Sequence, residues 1–88
     1  MTIRKFKHKG LKKFFETGDK SGILPGLASK IEVLLERLDA AEEPRDMNFP
    51  GSDFHLLKGD LKNCYSVHVN GNWTIIFKFE NGDSYDVD

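Results

Sequence analysis

Eighty-eight residues carry a net charge of −1 and a single cysteine, which bounds the chain to one small domain over 1–88 with a modest core. Cys64 alone forms no intramolecular disulfide, and no Cys/His spacing matches a zinc site. No apolar run reaches membrane-spanning length, and no apolar stretch follows the basic N-terminus as in a signal peptide, so a soluble cytoplasmic protein is expected.

The near-neutral total hides an asymmetry. Within residues 1–20, Arg4, Lys5, Lys7, Lys9, Lys12, Lys13 and Lys20 stand against Glu16 and Asp19, a surplus of +5, and the remainder carries −6. Such a segment can meet phosphate or an acidic protein, or form an ordinary solvated face.

In chain order, "IRKF" (3–6) partly alternates and predicts a short strand. In "GLKKFFETG" (10–18), Leu11, Phe14 and Phe15 share a helical face and Gly18 is a stop signal. "DKSGILPG" (19–26) reads as a loop. From about Leu27 to Ala41, Leu27, Ile31, Leu34, Leu35 and Leu38 recur at helical spacing, with Pro25 suited to the first turn and Pro44 forbidding continuation. Residues 42–53 are loop-like, with "FPGSD" a turn. Four strands are predicted after that: "FHLLK" (54–58), "CYSVHV" (64–69), "WTIIFKF" (73–79) and "SYDV" (84–87), joined by turn signals at "GD", "NGN" and "NGD".

The order β-α-α-β-β-β-β predicts an α+β fold, with two helices on one face of a small, mainly antiparallel twisted sheet. Period-two alternation sends Trp73, Ile75, Phe77 and Phe79 toward the helices. Thr74, Ile76 and Lys78, with Ser66 and His68, then share the opposite face. Any site belongs there.

The sequence has no GxGxxG, P-loop, HExxH or GxSxG, so a nucleotide cofactor or a metal has no motif to support it. What remains is general acid/base chemistry and cations. His55 and Lys58 lie in "DFHLLKGD". Histidine exchanges a proton near neutral pH, and lysine stabilises developing negative charge. Cleavage of RNA through its own 2′-hydroxyl needs both functions. The plainer alternative is a surface strand histidine and a turn lysine. His68 has the same two readings, His8 belongs to the basic segment, and Cys64 is read as structural. Trp73 is assigned to the core rather than to base stacking.

In combination, "FKHKGLKKFFETG", "LDAAEEPRDMNFPG", "FHLLKGD" and "YSVHVNGNWTIIFKFENGD" resemble the HigB toxins of the RelE/ParE superfamily, in order and over essentially the whole chain. The resemblance implies a type II toxin that acts as a ribosome-dependent mRNA endoribonuclease without metal or cofactor. Its implied partners are the A site of the 70S ribosome with its mRNA, and a HigA-like helix-turn-helix antitoxin. Operator DNA is reached only through the antitoxin complex.

Carried over by position, His55 takes part in cleavage and Lys58 supports the transition state. Lys5, Lys7, Lys9, Lys12 and Lys13, with His68 and Thr74, fall to RNA contact, which is salt-sensitive. The family pattern N-W-R has Thr74 in place of its arginine. Family members also usually continue to a D-Y-H-like tail, whereas the sequence ends at "YDVD". Both departures imply an attenuated or inactive nuclease. Two alternatives stay open: a non-catalytic antitoxin-binding module, and a ParE-like gyrase inhibitor on the same fold.

Overall fold

The computed structural model describes residues 3–57, 63–70 and 73–88. Helical spacing from Leu11 to Phe15 becomes α1 (Lys9–Thr17). Gly18 ends it with φ 79°, its N–H returning to the Phe14 carbonyl, the left-handed terminus that glycine makes without steric cost. His8 begins it: its Nδ1 accepts from the Leu11 N–H at 3.1 Å and satisfies one of the helix's open donors. Leu11 and Phe14 are buried, while Phe15 stays at the margin against Phe6, ring centroids 5.6 Å apart.

A 3₁₀ turn at Pro25–Leu27 leads into α2 (Ala28–Ala40), whose stripe of Ile31, Leu34, Leu35 and Leu38 is buried. Pro44 does not merely end the helix but opens a second 3₁₀ turn, Pro44–Met47. Asp46 holds that turn by accepting from the Glu42 and Glu43 N–H groups at 2.9 and 3.2 Å. Met47 is thereby fully buried.

The sheet contains β1 (His55–Leu56), β2 (Cys64–Asn70), β3 (Trp73–Glu80) and β4 (Asp83–Tyr85), all antiparallel neighbours in sequence order. Asn81 and Gly82, at φ 51° and 84°, join β3 to β4 in the two-residue Asn-Gly turn that suits strand twist. The predicted first strand is reduced to two parallel bridges, Ile3 to Ser84 and Phe6 to Val87, so residues 3–6 border the β4 edge. The Ile3 N–H also donates to Asp39 on α2 at 2.9 Å, and Arg4 pairs with Asp83 at 2.9 Å.

Core packing follows the predicted face at Ile75 and Phe77, which meet Val67 and Tyr65 across the ladder and pack with the helices. Phe54, Tyr65 and Phe77 stack successively at 5.5 and 5.6 Å. Trp73 departs from the expectation. It is 55% exposed, standing at the first position of β3 where the register shifts between His68 and Asn70. No described helix of the fold is long and apolar enough to cross a membrane.

Candidate functional site

Strand register assembles the site on the sheet face away from the helices. His55 is the cross-strand partner of Ser66, Ser66 of Ile76, and one pair further along His68 faces Thr74. Residues directly opposite in a ladder project to the same side, so Ser66, His68 and Thr74 share one face, as alternation predicted, and the pairing adds His55 to it. Strands about 4.8 Å apart, with two residues of offset, put His55 and Thr74 at about 12 Å. That separation leaves room for a phosphodiester between side chains reaching in from both. The face is only partly open: Cys64 and Ser66 are buried, His68 is half-buried and Thr74 is exposed.

The turn before β1 positions His55. Phe49 to Ser52 form a β-turn closed by the Ser52 N–H to the Phe49 carbonyl at 3.0 Å. Pro50 takes its second position and Gly51, at φ 89°, its third, which is the type II arrangement. Ser52 is buried, and its carbonyl accepts from the His68 N–H at 2.6 Å, fastening the turn to β2 beyond the β1 ladder. Between that bond and the His55–Ser66 pair lies Asp53, at φ 46°, a left-handed position that aspartate tolerates better than most side chains.

This bend brings the Asp53 carboxylate to the His55 ring. Nε2 lies 2.9 Å from Oδ1, both side chains remaining largely in solvent. A carboxylate only accepts, so Nε2 carries the proton and Nδ1 of the neutral ring keeps its lone pair for a substrate proton. Alternation and motif gave no reason to single out Asp53. The one legible signal was an aspartate two residues before the histidine, directly after a Pro-Gly turn.

The predicted cations fall into separate groups. Lys5 and Lys7 are exposed on the segment bordering β4, at the edge opposite β1, and Lys9, Lys12 and Lys13 are exposed on α1. Four strand spacings separate the two edges, about 19 Å, so the fold does not bring Lys5 and Lys7 to His55. Lys13 is engaged by Asp19 at 3.0 Å. The Asp19 carboxyl is held down at about 2, first by the Ser21 N–H donated to it and then by the Lys13 ammonium. Lys58, predicted beside His55, lies outside the described residues, as do the "GD" turn and part of "NGN". Lys78, on the same face as Thr74, pairs with Asp86 at 3.7 Å.

A cleft of about 560 Å³ opens beside Thr74, at the end of the sheet where β3 begins. Leu11, Ile31, Val69 and Ile75 contribute its apolar lining, and Trp73 stands at it exposed.

The family model for the RelE-like toxin HigB of type II toxin–antitoxin systems matches residues 4–88. The chain is 42% identical to the Endoribonuclease HigB of Proteus vulgaris over 83 residues, 94% of this chain and 90% of that one. It is 34% identical to Toxin HigB-1 of Vibrio cholerae over 79 residues, 88% of this chain and 83% of that one. Among solved structures, the heterotetrameric YoeB–YefM toxin–antitoxin complex from Staphylococcus aureus contains a chain that aligns with a TM-score of 0.60 at 18% identity. That alignment covers 99% of this chain and 92% of the other, and at such low identity it concerns the fold.

Proposed function

We propose that this chain, which belongs to the HigB-like toxins of type II toxin–antitoxin systems, cleaves mRNA in the A site of the translating ribosome. The observation that carries the reading is His55, exposed at the β1 edge with Nε2 tied to Asp53 and Nδ1 left as the base. In this scheme Nδ1 takes the 2′-hydroxyl proton, the 2′ oxygen attacks the adjacent phosphorus to close a 2′,3′-cyclic phosphate, and the bond to the 5′ oxygen breaks, that oxygen taking its proton from water. Lys58, three residues after His55, is proposed to counter the charge of the phosphorane. The lysines of residues 5–13 are proposed to hold ribosomal RNA, with affinity that falls as salt rises. No metal or cofactor takes part in the proposed reaction.

Thr74 sits opposite His68 with a neutral hydroxyl where the family pattern has an arginine. It cannot supply a charged fork to the scissile phosphate, so the rate is proposed to be attenuated. The proposed partner in the cytoplasm is a HigA-like helix-turn-helix antitoxin, and operator DNA is bound through that complex alone.

The test is to add the protein to translating ribosomes and map mRNA 5′ ends. His55→Ala is expected to lower cutting by about 10²- to 10⁴-fold, the range for losing one general acid/base group. Cutting that survives this change intact refutes the assignment of His55. Thr74 also favours a second reading, a non-catalytic antitoxin-binding module. Tight antitoxin binding with no cuts, even in Thr74→Arg, is its signature.

A further inference from the structure

We infer that Trp73 and the cleft beside it form a nucleobase subsite, which stacks one base of the single-stranded mRNA next to the cleavage face. The inference rests on the nuclease reading above and adds a specificity-determining residue to it. Trp73 is the chain's only tryptophan and is 55% exposed, whereas Ile75 and Phe77, which follow it on the same face, are buried. The register shift at His68 and Asn70 leaves it at the start of β3, where its ring lines the 560 Å³ cleft instead of the closed core.

Aromatic rings set at the edge of a charged track are how proteins hold single-stranded RNA, because every base offers a π face. The cleft and the proposed cleavage face share Thr74, which lines the one and is the cross-strand partner of His68 on the other. Its lining also offers polar groups for a base edge. His8 accepts from the Leu11 N–H through Nδ1, so its neutral ring presents Nε2–H as a donor, and Asp88 offers carboxylate acceptors. Lys7 and Lys9, on either side of His8 in the chain and part of the basic segment proposed to hold ribosomal RNA, are exposed and keep this end of the protein attractive to nucleic-acid phosphate. An apolar peptide could use the aliphatic lining, but it would have no use for the polar groups of His8 and Asp88 there or for the nearness of Thr74 to His68.

A lone tryptophan makes the test direct. Intrinsic fluorescence is titrated with a short single-stranded RNA carrying 2′-O-methyl groups, which cannot be cleaved, and mRNA 5′ ends are mapped on ribosomes in parallel. Saturable, salt-sensitive quenching is expected. Trp73→Ala is expected to weaken binding of the labelled RNA by roughly 5- to 150-fold, the range for losing one base stack. Trp73→Phe is expected to recover much of it and to change which nucleotides flank the ribosomal cuts. Thermal unfolding of both variants checks that the fold is kept. Wild-type cutting with no quenching overturns the subsite while the nuclease reading stands. Quenching without cutting keeps the subsite as an RNA contact and removes the nuclease reading. Quenching by the cognate antitoxin but not by RNA gives the cleft to the antitoxin and overturns the proposal.

Discussion

Two glycines decide how the loop after α1 is seated, and they set helix propensity against contact. Gly10 is the second residue of α1, where alanine would ordinarily gain up to about 1 kcal/mol. A Cβ there, however, would lie 2.3 Å from the Gly22 carbonyl oxygen and 2.9 Å from His8 Cε1. The reciprocal Cβ on Gly22 would lie 2.6 Å from the Gly10 Cα. The obstruction is backbone, so relief needs the loop to lift by roughly 1 Å, a core-like overpacking that costs about 1–3 kcal/mol. Gly10→Ala should therefore lose about 1–2 kcal/mol net, and Gly22→Ala, with no helix gain, somewhat more. For a domain of this size each kcal/mol moves Tm by about 4–8 °C, so Gly10→Ala should melt about 4–16 °C lower. Gly26→Ala is the control: nothing lies within 4 Å of its Cβ and its φ is ordinary. It should be neutral or stabilise by up to about 1 kcal/mol. Thermal and urea unfolding followed by circular dichroism give all three. A Gly10→Ala protein as stable as the parent would refute the close approach of loop and helix. The same lift would move Ile23 and Leu24 on the cleft lining, so Trp73 fluorescence should change in Gly22→Ala and not in Gly26→Ala.

Substitutions at three other positions probe the site and its surroundings. Thr74→Arg, at an exposed strand position, should leave Tm unchanged and raise ribosomal cutting about 10- to 100-fold, as expected of a charge-assisted contact of about 1.5–3 kcal/mol to phosphate. Equal or lower cutting in 5′-end mapping removes position 74 from the phosphate site. Asp53→Ala should slow cutting about 10-fold through loss of the His55 ring orientation, while Asp53→Asn, whose amide oxygen still accepts, should slow it less. Antitoxin affinity, read by calorimetry, should be the same for both. Asp19 is held at about 2 against an ordinary 3.8, so its contribution is complete above about pH 4 and is lost as pH falls toward 2. Asp19→Asn should flatten the acid limb of stability over that interval. An unchanged limb shows that the Ser21 and Lys13 contacts do not persist in solution.

Legibility in the sequence tracked how many residues share a signal. The stripe from Ile31 to Leu38 repeats over more than two turns, and α2 follows it. "NG" between alternating segments closes the β3–β4 hairpin as its turn chemistry dictates. The features that were not legible each depend on a single contact far from the local pattern. His8 looks like one more basic residue until its ring meets the Leu11 N–H. Asp53 matters only because a left-handed residue follows a type II turn, aiming a carboxylate at His55 rather than away from it.

Trp73 is the instructive failure. Alternation assigns a side chain to a face of the sheet, but burial also needs an element above that face. Ile75 and Phe77 lie beneath the helices and are covered; Trp73, two residues nearer the hairpin end, keeps its parity and has lost its cover. The cleft adjoins the core, sharing Leu11, Ile31, Val69 and Ile75 with it, and Gly22, which packs against Gly10, lies on its lining. Because Thr74 is the next residue along and also lines the cleft, whatever fills the place above Trp73 borders the proposed cleavage face. Fold and proposed chemistry thus meet at these two adjacent positions. A change at 73 should alter which RNA is held, and a change at 74 how fast it is cut. If both altered the same quantity by the same factor, the separation of binding from cleavage along β3 would be wrong.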